Sequence, residues 1–227
     1  MLRVGLTGGL GSGKSTAGEL FAAHGAYVLQ ADEIGRELMQ PGQAVYAGIV
    51  AHFGKSVVRA DGTLDRGELA RIAFADGRVE ELNAIVHPAV IARQTELADA
   101  IGARDAGAVV MVESALIFET KHWETKSGEQ GGWRRRFDRV ILVTAPEELK
   151  VARYVARVGG GGVLSDEARA GLEAEARMRI AKQIPDEQKA VLCDYVLTNG
   201  GPLKELEWQV DRLWPILERD AQVGAAK

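Results

Sequence analysis

Gly8-Gly9-Leu10-Gly11-Ser12-Gly13-Lys14-Ser15-Thr16, set directly behind the apolar stretch Leu2–Thr7, decides how this chain is read. It satisfies G-x-x-x-x-G-K-[ST], the phosphate-loop pattern that joins a strand to a helix. Glycines let the backbone turn with its N–H groups pointing inward, forming a nest for a polyphosphate. The start of the following helix adds positive potential. Lys14 then reaches toward the β- and γ-phosphates, and the Ser15 hydroxyl is placed to hold Mg²⁺.

Working outward, four further short, Val-rich segments read as strands of a buried parallel sheet: Tyr27–Gln30, Ala108–Glu113, Arg139–Thr144 and Tyr195–Thr198. Helical patterns separate them, over Lys14–Ala23, Glu33–Met39, Gln43–Phe53, Arg66–Phe74, Val79–Ile85, Pro88–Ile101, Pro146–Val158, Asp166–Lys182 and Pro202–Asp220. Asp65 and Ser165 fit helix caps, and Pro88 and Pro202 fit first turns. The expected fold class is α/β: a five-stranded parallel sheet of the phosphate-loop NTPase type flanked by helices. In such sheets the ligand lies beyond the carboxyl ends of the strands.

Three segments interrupt the core. The stretch 33–107 is too long for one crossover and reads as an inserted helical subdomain. Lys121–Arg136 is polar and reads as an exposed loop, its Trp133-Arg134-Arg135-Arg136 end as solvated surface rather than a contact patch. Gly159–Gly162 reads as a mobile link between two Arg-bearing helices, so 153–183 is expected to form a lid over the phosphates.

The bulk numbers bound the partners. A formal net charge of −4 provides no global attraction to nucleic acid or anionic membranes. The single cysteine, Cys193, excludes an internal disulfide and suits a reducing cytoplasm, and its apolar neighbours favour an inert thiol. No apolar run has the length of a membrane span. The strand that starts at Leu2 leaves no room for a leader, so a cytoplasmic location is expected.

Beyond the loop, Asp32 follows the second strand. Its carboxylate either takes the proton of an attacking hydroxyl or caps the next helix. Glu113 ends the third strand, either as an acid near Mg²⁺ or as a plain polar strand end. His87, before Pro88, reads by itself as a local hydrogen-bonding group. Arg153 and Arg157 share one helical face.

Taken in series, these motifs resemble the dephospho-CoA kinase family. The resemblance runs through Gly5-Leu6-Thr7-Gly8-Gly9-Leu10-Gly11-Ser12-Gly13-Lys14-Ser15-Thr16, Asp61-Gly62-Thr63-Leu64-Asp65-Arg66 and Leu82-Asn83-Ala84-Ile85-Val86-His87-Pro88. It continues through Arg179-Ile180-Ala181-Lys182-Gln183 and Asp194-Tyr195-Val196-Leu197-Thr198-Asn199-Gly200. The chain departs from the family where Gln30 replaces the first Asp of Asp-Ala-Asp and Ala115 replaces a proline. It departs again where 121–136 and Gly159–Gly162 lengthen two connections.

The resemblance implies transfer of the ATP γ-phosphoryl group to the 3′-hydroxyl of dephospho-CoA, with Mg²⁺ as cofactor and no obligate protein partner. It implies ATP binding by Gly11, Ser12, Gly13, Lys14, Ser15 and Thr16, and catalysis by Asp32, Lys14 and Arg157. The acceptor would contact Asp32, His87 and Arg179. Another kinase of the same core remains the alternative. A GTP switch would use Asp32-Glu33-Ile34-Gly35 as D-x-x-G but needs an Asn-Lys-x-Asp motif that the chain lacks. A transport ATPase needs a Leu-Ser-Gly-Gly-Gln signature, also missing.

Overall fold

In the computed structural model, which describes residues 1–118, 132–160, 162 and 164–225, five strands make one parallel sheet. They are β1 (Leu2–Thr7), β2 (Tyr27–Gln30), β3 (Val109–Glu113), β4 (Arg139–Thr144) and β5 (Tyr195–Thr198), in the order β2-β3-β1-β4-β5. Nine α-helices are described: α1 (Lys14–Ala23), α2 (Ala31–Leu38), α3 (Ala44–Phe53), α4 (Arg66–Ala70), α5 (Val79–Arg104), α6 (Glu147–Val158), α7 (Asp166–Ala181), α8 (Asp186–Ala190) and α9 (Leu203–Ala225). None of the described helices is long and apolar enough to cross a membrane.

Alternation along the strands sorts the two faces. Leu2, Val4 and Leu6 of β1 pack with Met111, Ile141 and Val143 under α1 and α9, which contribute Phe21, Leu206, Val210 and Leu217. Gly5 looks the other way. A Cβ there would stand 2.8 Å from Ile117 Cδ1 and 3.2 Å from the Phe137 ring, so this face closes tightly over the bare backbone. Val112 and Val140 complete that second core beside Ile117 and Phe137.

Register fixes where the chemistry sits. Leu6 of β1 and Gln30 of β2 both pair with Glu113 of β3, so the three strands end level. The phosphate loop and Asp32 therefore leave the same edge of the sheet. β3 stands between β1 and β2, which separates them by about 10 Å.

Between β2 and β3 the chain builds a helical unit with its own core of Val45, Ile49, Phe53, Val57, Leu64, Leu69 and Ile72. Here two sequence expectations need correction. Val79–Ile85 and Pro88–Ile101 are one helix, α5, with Pro88 inside it. A proline in a helix interior costs about 3 kcal/mol. It is offset here because α5 packs on both sides of Pro88, with Val86 and Ala89 against the insert core and Val90 and Ile91 buried just beyond. Secondly, the helix expected over Arg66–Phe74 is α4 followed by a π turn over Arg71–Ala75. Asp65 caps α4 as expected, accepting from Gly67 and Glu68 N–H, and Ser165 caps α7 from Ala168 N–H. Short α8 had no counterpart in the sequence reading.

Most of the 121–136 segment lies outside the described residues, as do Gly161 and Val163 within and just after the glycine run. Where 132–136 is described, Arg134 and Arg135 are exposed, while Trp133 and Arg136 are half-buried against neighbours within the chain. Trp133 sits edge-on to Phe118, with ring centroids 4.9 Å apart. Arg134 lies over the Trp133 ring and pairs with Asp194 at 3.0 Å. Arg136 donates to Gln94 Oε1 at 2.9 Å over Phe137. Partners within the chain thus hold Arg134 and Arg136, although Arg134 and Arg135 stay exposed. Cys193 is half-buried beside the same cluster; burial, then neighbouring Asp194, push its thiol up to about 12. A thiol so rarely ionised is a poor nucleophile.

Truncating Leu217, fully buried between α9 and the sheet, should cost about 2–5 kcal/mol of unfolding free energy. Urea denaturation of Leu217→Ala measures it, and a loss below about 1 kcal/mol would mean that α9 is not part of the principal core.

Candidate active site

The phosphate loop has almost no side chains with which to hold itself, and the fold holds it from three directions. Gly11 and Gly13 take positive φ, 70° and 87°. A Cβ on Gly11 would stand 2.3 Å from the Lys150 carbonyl oxygen, and one on Gly13 2.0 Å from Asn199 Nδ2. Only glycine fits either position. Asn199, at the end of β5, donates from Nδ2 to the Ser12 carbonyl at 2.9 Å. Arg153 of α6 donates to the carbonyls of Gly11, Ser12 and Asn199 at 3.3, 3.4 and 3.0 Å. From the turn after α7, Gln183 Oε1 accepts the Leu10 N–H at 3.0 Å.

Arg153 shares a helical face with Arg157, and its guanidinium binds backbone carbonyls of the loop. Behind the loop, Asp186 of α8 accepts from the Thr144 hydroxyl and pairs with Lys150 at 2.5 Å. Both partners of that pair are largely buried.

In front of the loop stand the charges. Burial lowers the proton affinity of Lys14; nearby Glu113 and Asp32 raise it, and Arg157 and Lys189 lower it further. These five groups come from α1, α2, β3, α6 and α8, so the fold gathers side chains from most of the sheet's carboxyl edge onto one lysine. Lys14, Asp32 and Arg157 are thereby brought together. Lys189 is fully buried and was missed by sequence reasoning, because a lysine on a short polar helix looks like a surface residue.

Asp32 corrects the capping alternative. β2 runs into α2 without a linker, Gln30 holds the N-cap position, and Asp32 lies inside the first turn with no cap hydrogen bond. Its carboxylate is exposed in the first turn of α2. Ser15 donates from Oγ to Glu113 Oε1 at 2.6 Å, and the other Glu113 oxygen is buried with no hydrogen-bond partner. Glu113 is therefore no passive strand end. An unpartnered buried carboxylate oxygen beside a hydroxyl is a hard, all-oxygen donor set that suits Mg²⁺.

Arg157 and Arg179 both approach one buried ring, Tyr154, at 5.8 and 5.6 Å from its centroid. Arg179 is also paired with Glu175 at 2.6 Å. Arg177, by contrast, joins α7 to Glu147 and Glu148 of α6 at 2.8 and 2.7 Å. His87 is half-buried in the middle of α5 rather than at a helix start, within the insert and on a different element from the Lys14 cluster.

A family model described as CoaE, dephospho-CoA kinase, matches residues 2–205. The chain belongs to the dephospho-CoA kinase family. It is 37% identical over 220 residues to a dephospho-CoA kinase of Thermobifida fusca, covering 96% of this chain and 98% of that one. It is 38% identical to one from Streptomyces avermitilis over the full length of both. Among solved structures, TT1252 from Thermus thermophilus superposes with a TM-score of 0.71 at 31% identity, covering 95% of this chain and 97% of that one. The dephospho-CoA kinase from Campylobacter jejuni shares the fold at a TM-score of 0.55 and 19% identity, covering 95% and 96%. The chain is an ATP-dependent kinase, and the expected phosphate-loop fold is the one observed.

The Lys14 environment carries a stability signature. Its folded-state pKa lies below the ordinary 10.5, so the unfolded chain binds the proton more tightly and stability rises with pH through that window. Below the folded pKa the cost of burying the charge is present in full. Lys14→Met should therefore raise the apoprotein melting temperature near neutral pH, and the gain should shrink as pH climbs toward the free-lysine range. Differential scanning fluorimetry across pH reads this; a variant less stable than wild type at neutral pH would contradict it.

Proposed function

We propose that this chain transfers the γ-phosphoryl group of ATP to the ribose 3′-hydroxyl of dephospho-CoA, giving coenzyme A and ADP, with the Lys14 cluster as the reacting centre. The observation that carries the assignment of roles is the Ser15–Glu113 hydrogen bond of 2.6 Å at the mouth of a phosphate loop, with Asp32 leaving the sheet at the same edge, two residues beyond the β2 position level with Glu113. The backbone of Gly11–Thr16 binds the ATP phosphates through its N–H groups. Lys14 balances charge on the β- and γ-phosphates, and its partial desolvation strengthens that interaction.

Asp32 stands across β3 from the loop. It accepts the proton of the 3′-hydroxyl at a carboxylate oxygen as that hydroxyl attacks, so the nucleophile forms next to the γ-phosphorus. The P–O bond to ADP breaks as the new ester bond forms, and the proton stays on Asp32 until solvent takes it. Arg157 approaches from α6, where charge spreads over the transferring group. Its side chain is exposed, so ligand binding has room to draw it inward over the site and exclude water.

Ser15 and Glu113 would hold Mg²⁺, directly or through water, and that ion supplies neutralisation of phosphate charge when bound. The helical insert 33–107 takes the acceptor. Arg157 of α6 and Arg179 of α7 share Tyr154 as a neighbour, which supports a closing role for the α6–α7 pair.

Asp32→Asn should lower kcat by about 10²–10⁴-fold with little change in KM for ATP. Coupled measurement of CoA and ADP formation from Mg-ATP and dephospho-CoA decides it. Activity within a few-fold of wild type would move the proton-accepting role to Glu113. Arg157→Lys keeps the charge and loses the planar fork, so it should lower kcat far more than it raises KM for ATP. A silent Arg157→Lys would mean that this arginine stays in solvent throughout turnover.

A further inference from the structure

Leu10 is the large apolar side chain of the phosphate loop, set between Gly9 and Gly11. Holding a polyphosphate does not call for it, since such a loop offers its ligand backbone N–H groups. Both of its contacts go to the α6–α7 pair and the turn that follows. The side chain packs against the core that joins the two helices, made of Val151, Tyr154, Val155 and Ala176. The Leu10 N–H is donated to Gln183 Oε1 at 3.0 Å, so this donor is spent within the protein.

Gln183 is itself held in place. It lies just beyond the end of α7, and its N–H bonds the Ile180 carbonyl at 3.0 Å, continuing the turn of that helix. Gly9 lets the amide come close: a Cβ there would stand 3.1 Å from Gln183 Oε1. Past Gln183 the chain is anchored at once. Asp186 pairs with largely buried Lys150 at 2.5 Å, and Lys189 Nζ donates to the Ala115 carbonyl at 3.4 Å. Arg179 stands one helical turn before Gln183. With Arg157 it approaches Tyr154, a ring of the same core that Leu10 packs against.

We propose that Leu10 and Gln183 are positioning residues for phosphoryl transfer: together they fix the α6–α7 pair to the phosphate loop and so set where Arg157 and Arg179 stand relative to the transferring group. The inference rests on the closing role given above to that pair. One loop residue, held through its N–H and through its side chain, carries the position of the loop into the position of two arginines. The effect falls on transition-state geometry more than on nucleotide affinity. Asn199 and Arg153 hold the loop independently, through its Gly11 and Ser12 carbonyls. A reacting group displaced by about 1 Å can lose on the order of 10²-fold in rate.

Gln183→Met removes the acceptor and keeps the length of the side chain, whereas Leu10→Ala keeps the N–H and removes the packing. Each should lower kcat about tenfold or more, while Kd for Mg-ADP by calorimetry stays within about threefold of wild type. Amide exchange with Mg-ADP as the probe reads the link directly. In wild type the nucleotide should slow exchange in the loop and in the last turns of α7. In either variant the α7 response should vanish and the loop response remain. A kcat within about twofold of wild type in either variant would overturn the proposal, as would an α7 response that survives. Mg-ADP affinity that falls as far as kcat would also overturn it, because that marks a loop merely loosened. If the wild-type protein makes no coenzyme A, the activity reading fails on its own, and the exchange comparison still decides the link.

Discussion

A glycine-rich turn can surround a phosphate only if something else gives it a shape, and in this protein that shape is imposed by close backbone approach. Gly11 sits against the Lys150 carbonyl and Gly13 against the Asn199 amide, at separations that no side chain could tolerate. Asn199 and Arg153 then take up carbonyls of the loop at Gly11 and Ser12. The anion site is thus preorganised by β5 and α6, and its cost in conformational entropy is met during folding instead of binding. Removing the Asn199 or Arg153 contacts would leave the sequence motif intact and its geometry loose.

The same arrangement explains the electrostatics. Charges brought into one partly desolvated space interact far more strongly than on an open surface. Lys14 feels two acids and two cations at once, and burial leaves it less firmly protonated than a surface lysine. A strongly anionic ligand relieves this tension by supplying the negative charge that the resting site lacks. Fully buried Lys189 adds positive potential from a helix of five residues, an economical way to bias the site without lining it.

The core and the loop were legible in the sequence because each rests on local pattern: Val-rich runs for the strands, glycine spacing for the turn. Asp65 and Ser165 were legible as caps for the same reason. What escaped was set by tertiary contacts. Pro88 reads as a helix start until the packing on both sides of it is known. The run Trp133–Arg136 does not itself show that Phe118, Asp194 and Gln94 meet it. Asp32 was legible as a residue but not as a role, since only the unbroken passage from β2 into α2 frees it from capping. The contacts of Arg153 were not legible, because spacing on a helix gives a face but not what that face touches.

The continuity of α5 has a consequence for how forces pass through the molecule. One rod leans on the insert core near Val86 and Ala89 and on the sheet face near Ala98 and Ile101. It behaves as a shared beam, so the insert cannot tilt against the sheet without bending a helix or breaking one of two cores. On the proposed function the insert would then be the stationary jaw, and a clamping stroke would fall to the α6–α7 pair. Substitutions deep in the insert should then be felt as changes in where the acceptor hydroxyl stands relative to the phosphate loop, even with every residue around Lys14 untouched.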